Sequence, residues 1–162
     1  MLSTTAGSAF MQVFNAWYYS FSPSVAQFIA SNDPIRAPVR VLLYPLLGIL
    51  GISALIHSWF AWAPEFGVLM AGLVASSLIG LTYFTAPALV GMQALLRKRR
   101  ISARFLTKAS LASLAIALTL LTVGEVAGSF LMLAAASSAV VLTCVIAVPV
   151  LVSVVILRPS PK

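Results

Sequence analysis

Between Arg40 and Arg97 the chain carries no Lys or Arg, and between Lys108 and Arg158 it again carries none. Each of these stretches is long enough for two bilayer crossings at about 20 residues per helix. A soluble domain devotes roughly a quarter of its residues to charge, whereas here only 8% are charged and 61% are hydrophobic. Such a chain cannot cover a water-facing surface with polar side chains. The expected fold is therefore all-α, an integral membrane protein of four transmembrane helices. The crossings fall at about 41–62, 66–86, 105–123 and 129–156.

The charges that remain are sorted by position. Arg36 and Arg40 precede the first crossing, and Arg97, Lys98, Arg99, Arg100, Arg104 and Lys108 lie between the second and third. Arg158 and Lys162 follow the fourth, so four crossings place all ten basic residues on one side, with Glu65 and Glu125 in short loops on the other. The positive-inside rule then predicts a multi-pass protein of the cell membrane with cytoplasmic N- and C-termini. The run from Arg97 to Arg100 reads as a topology anchor that also attracts anionic lipid headgroups, worth about 1 kcal/mol per charge near the surface. A nucleic-acid partner is excluded, because the basic residues flank apolar blocks instead of spreading over a polar face.

Residues 1–33 form a less apolar unit ahead of the membrane domain at 34–162. Phe10, Val13, Phe14, Trp17 and Tyr18 recur at three- and four-residue spacing, the stripe of an amphipathic helix. Its Trp17, Tyr18 and Tyr19 suit the headgroup boundary of the cytoplasmic leaflet; packing against the protein's own bundle is the alternative. Ser22-Pro23 is expected to end that helix and cap a second short one, and Asp33-Pro34 to cap the helix that enters the bilayer. No Lys or Arg precedes Arg36, so the n-region of a cleavable signal peptide is not expected.

Within the crossings, small residues recur. Gly48, Gly51 and Ala54 follow Pro45 in the first, and Gly72, Ser76 and Gly80 form a small-xxx-small stripe in the second, spacings that let neighbouring helices approach closely. Trp59 and Trp62 close the first crossing as interfacial aromatics. Ala63-Pro64-Glu65 makes a turn, the second helix can continue past Pro87, and Gly124-Glu125 makes the next turn. The last apolar block exceeds a bilayer's need, and a tilt or a bend at Pro149 would absorb the excess.

Chemistry is thinly supplied. His57, Glu65 and Glu125 fall at the same end of the bundle and are the only, weak, candidates for a metal site. Cys144 is the single cysteine, so no disulfide can form within the chain, and Met70, Met92 and Met132 lack copper-binding spacing. No cofactor or enzymatic activity is expected. A transporter normally places ionisable groups at mid-membrane; here Ser76, Ser77, Thr82, Ser137 and Ser138 would have to line a path. The leading expectation is a non-catalytic structural or accessory subunit whose partners are lipid and other transmembrane helices, in a hetero-complex rather than a homo-oligomer. The alternative is a small homo-oligomeric transporter or channel.

Three segments, Thr5-Ala-Gly-Ser-Ala-Phe10, the stretch from Phe14 to Ile29 with its core YYSFSPSVA, and Leu43-Tyr-Pro-Leu-Leu47, resemble the membrane-proximal tail of archaeal CFI-box proteins. Tyr83-Phe-Thr-Ala-Pro-Ala-Leu89 is similar to the further hydrophobic tail some of those proteins carry. The Cys-Phe-Ile box itself is absent, so no role tied to it carries over. The resemblance implies a membrane-embedded module. Because such tails occur in ammonia-oxidising archaea, it also implies an accessory subunit of a membrane enzyme such as ammonia monooxygenase.

Overall fold

The computed structural model describes residues 4–98 and 103–157. Six helices account for nearly all of them: α1 (Thr5–Ser31), α2 (Asp33–Trp59), α3 (Pro64–Ile79), α4 (Thr85–Lys98), α5 (Ala103–Ala127) and α6 (Phe130–Ile156). A single π-helical turn, Gly80–Phe84, joins α3 to α4 in one continuous rod. Four of the resulting rods, Asp33–Trp59, Pro64–Ala94, Phe105–Ala127 and Phe130–Ile156, are long and apolar enough to cross a membrane.

The termini of these helices follow from local chemistry. Pro64 opens α3 at a position where its missing N–H costs nothing, directly after Ala63. Gly128, with φ of 62°, takes the left-handed conformation that ends α5, its N–H donating to the Glu125 carbonyl at 3.2 Å. The turn therefore sits at Gly128-Ser129, not at Gly124-Glu125 as the sequence suggests. Gly124 is instead buried inside α5, where an added Cβ would lie 3.3 Å from the Leu133 nitrogen. That absence of a side chain lets α5 and α6 pack closely.

α6 is the centre of the bundle: it touches α1, α3, the π-turn, α4 and α5. Leu133, Ala134, Ala136, Val140 and Cys144 of α6 form the core with Ala117 and Leu121 of α5 and Ala9 of α1, and Leu69 and Leu73 of α3 pack against them. α2 lies at the periphery, leaning mainly on α3.

The first helix departs from expectation. α1 runs without a break through Ser22 and Pro23 for 27 residues. Pro23 removes one amide donor and crowds the Tyr19 carbonyl, and α1 keeps its course because the flanking turns hold. Nor is the aromatic stripe the packed one. Val13, Phe14, Trp17 and Tyr18 are exposed, while Gly7 and Ala9, in the first turns, are buried. The α1–α2 joint also shifts by one residue, to Asn32. Its side-chain amide donates to the Phe28 carbonyl at 2.7 Å, and Asp33 and Pro34 form the first turn of α2.

Candidate functional site

The strongest concentration of irregular backbone lies midway along the bundle, where α2, the α3–α4 rod and α6 each deviate from ideal helix at a shared level. In the rod the deviation is the π-turn. Pro87 lacks an N–H, and its ring presses on the carbonyl four residues back, at Tyr83. The widened turn ends at Phe84, immediately upstream, and accommodates that clash without ending the helix. The Gly80 N–H is shared between the carbonyls of Ser76 and Ser77.

Gly80 faces α6. A Cβ there would stand 2.7 Å from the Val145 carbonyl oxygen and 3.2 Å from Pro149 Cδ, so the two backbones are in contact. Pro149 cannot donate to the residue four before it, and that residue is Val145. The carbonyl it frees is the one Gly80 covers. On the other flank, the Tyr83 hydroxyl of the same π-turn donates to the Leu42 carbonyl of α2. Leu42 follows Val41, whose carbonyl Pro45 leaves without its helical donor. One turn of the rod thus bridges two proline-interrupted helices.

Hydroxyls cluster around this layer. Ser76 is fully buried and its Oγ donates to the carbonyls of Gly72, at 2.6 Å, and Leu73, at 3.2 Å. Thr85 Oγ1 and Ser153 Oγ are buried without a hydrogen-bond partner. Thr85 lies five residues beyond Gly80 on one rod, and Ser153 four beyond Pro149 on α6, which runs parallel to it. Among the described residues this layer offers hydroxyl and carbonyl oxygens that can hydrogen-bond across the helices.

The other residues singled out in the sequence are distributed as follows. Gly80 and Ser76 face α6 and the bundle interior, whereas Gly48, Gly51 and Ala54 lie on the exposed side of α2. At Gly48, Gly51 and Gly72 a Cβ would meet no atom within 4 Å. Ser137 and Ser138 donate back to the Ala134 carbonyl, at 3.2 and 2.8 Å, and Thr82 is exposed. Trp59 and Trp62, 66% and 80% exposed, crown the end of the bundle where Phe60 and Phe66 pack edge to face.

Glu65 sits at that same end, its Oε1 accepting the Thr5 N–H at 2.9 Å. The His57 ring lies against Gly67, where an added Cβ would come within 2.9 Å of Nδ1, and Glu125 belongs to the last turn of α5. Among the described residues no group of three or more His, Cys, Asp or Glu could hold a metal ion.

At the opposite end, Arg36 forms a 2.8 Å ion pair with Asp33 and also donates to the Ala30 carbonyl, closing the C-terminus of α1. Arg40 and Lys108 are exposed there. Arg97 and Lys98 end α4 and Arg104 lies in the first turn of α5, whereas Arg99, Arg100, Arg158 and Lys162 lie outside the described residues. Spacing alone could not reveal the mid-bundle layer, although Pro87, Pro45 and Pro149 each gave a signal of interrupted bonding. Compared with family models, with curated proteins and with solved structures, the chain matches none of them.

Proposed function

We propose that this chain is a non-catalytic structural or accessory subunit of a membrane protein complex, acting through helix-to-helix contact inside the bilayer. The observation that carries this reading is the contrast among its glycines. Gly80 and Gly124 are closed by the chain's own helices, while Gly48 and Gly51 present open backbone on the outer side of α2 beside exposed Ala54. In lipid, close backbone approach at small residues is a main source of helix association, and this face is left for a partner.

The basic end, which holds Arg36, Arg40 and Lys108, is the cytoplasmic end on the positive-inside rule, with anionic headgroups as its lipid partners. The resemblance to archaeal CFI-box tails points to an archaeal membrane enzyme such as ammonia monooxygenase as the partner complex.

The experiment is extraction of native membranes in mild detergent, native gel separation and mass spectrometry, for the wild type and for Gly48→Leu/Gly51→Leu. Wild type is expected to migrate with other membrane proteins and the double variant to lose them. A wild type that runs as a stable monomer would contradict the proposal. Migration with further copies of itself alone would favour the second reading, a small homo-oligomeric transporter or channel, which draws on the bridged proline layer at mid-bundle. Flux in reconstituted liposomes then decides that reading.

A further inference from the structure

We infer that α1 is a fifth membrane crossing, which rests on the membrane reading above and places its N-terminal end on the face opposite the basic cluster. The two ends of α1 are tied to opposite ends of the bundle. At its start, Thr4 Oγ1 accepts the Gly7 N–H at 3.2 Å, and the Thr5 N–H donates to Glu65 beside the α2–α3 turn. At its finish, a single residue, Asn32, joins it to α2, and Arg36 of α2 donates to the Ala30 carbonyl. α1 and α2 are each 27 residues long, or about 40 Å at 1.5 Å per residue, enough to pass through a ~30 Å hydrocarbon core. They form an antiparallel hairpin, and if α2 crosses, α1 crosses beside it.

α1 is less apolar than the four spanning rods, but it carries no charge that would oppose burial in lipid. Among its 27 residues there is no Asp, Glu, Lys, Arg or His. Three of its polar side chains are satisfied by its own backbone: Ser8, Ser20 and Ser31 donate to the carbonyls of Thr5, Trp17 and Phe28. Asn15 and Ser22 fall on the partly covered stripe with Met11 and Ile29, at successive spacings of four, seven and seven residues. Gln27 lies within the last turn and a half, at headgroup depth. Inward, Ala9 is completely buried in the core shared with α5 and α6. Outward, Phe14, Trp17, Phe21, Val25 and Phe28 form an apolar face left exposed among the described residues. Its occupant is lipid acyl chain, since a helix fixed at both ends of a spanning bundle can point that face only into the bilayer. A helix lying in the headgroup plane could not keep Thr5 at Glu65 and Ala30 at Arg36.

Single-cysteine reporters at Thr5, Ser31, Lys108 and Ala127, all exposed positions, test this in sealed vesicles of known orientation. A membrane-impermeant maleimide reads each face, and the parent chain, whose Cys144 is buried, sets the background. Thr5 and Ala127 are expected to label from one face, with loss of labelling from the other, and Ser31 and Lys108 to show the reverse. Thr5 labelling from the Lys108 face, with Ala127 on the opposite face, would overturn the fifth crossing while leaving the membrane reading intact. All four labelling from both faces would overturn the membrane reading, and the crossing with it. A Thr5 reporter silent from both faces is replaced by an N-terminal epitope tag, read by antibody from each side against the same controls.

Discussion

At the scale of single residues, glycine placement separates what this chain uses for itself from what it leaves open. Adding a methyl group at Gly80 would drive it into the Val145 carbonyl, a backbone atom with no rotamer to move. Overpacking of that kind typically costs 1–3 kcal/mol, so Gly80→Ala should lose about 2 kcal/mol and lower the thermal midpoint in detergent. Gly48→Ala meets nothing within 4 Å; with Ala the better helix former by about 1 kcal/mol, the isolated chain should become no less stable. Equal effects at the two sites would contradict the α3–α6 contact. Spacing in the sequence marked both glycines as packing residues, yet it could not distinguish them. Which side of a helix meets its own bundle depends on the rotation of that helix, and an evenly apolar helix encodes the rotation weakly.

At the scale of elements, the helices that were legible are those whose apolar blocks are bounded by charge: α2, α5, α6 and the α3–α4 rod fall where four spanning helices were expected, although α2 begins at Asp33 instead of 41 and the rod runs on to Ala94 instead of 86. α1 was read as two short helices because Ser22-Pro23 carries the usual signature of a helix start, and because Ser, Asn, Gln and Tyr dilute its apolar signal. The structure keeps it whole. Pro23→Ala would return an amide donor to the Tyr19 carbonyl, and thermal stability should rise while helix content by far-UV circular dichroism stays constant. A clear gain in helix content would instead show that the chain is broken at Ser22-Pro23. The π-turn shows the converse case. Pro87 announced an interruption, but only the contacts of Gly80 with α6 and of Tyr83 with α2 explain why the rod widens there instead of ending.

At the scale of the whole molecule, the account depends on what surrounds it. The chain exposes 10806 Å², whereas a soluble monomer of 17.1 kDa would expose about 7,800 Å². Much of that surface is large apolar side chain: Leu47, Leu50 and Leu55 on α2, Ile116 on α5, Leu142 and Ile146 on α6. Continuous apolar faces on every side of a bundle mark a membrane or partner interface, not a solvent boundary. Charge confined to the bundle ends, the aromatic crown of Trp59 and Trp62, and helices of spanning length all follow from one assumption, that lipid is the solvent. The most direct test is flotation of membranes through a density gradient after alkaline carbonate treatment, which strips peripheral proteins. The account predicts that the chain floats with the lipid and is released only by detergent. Recovery in the soluble fraction would contradict it.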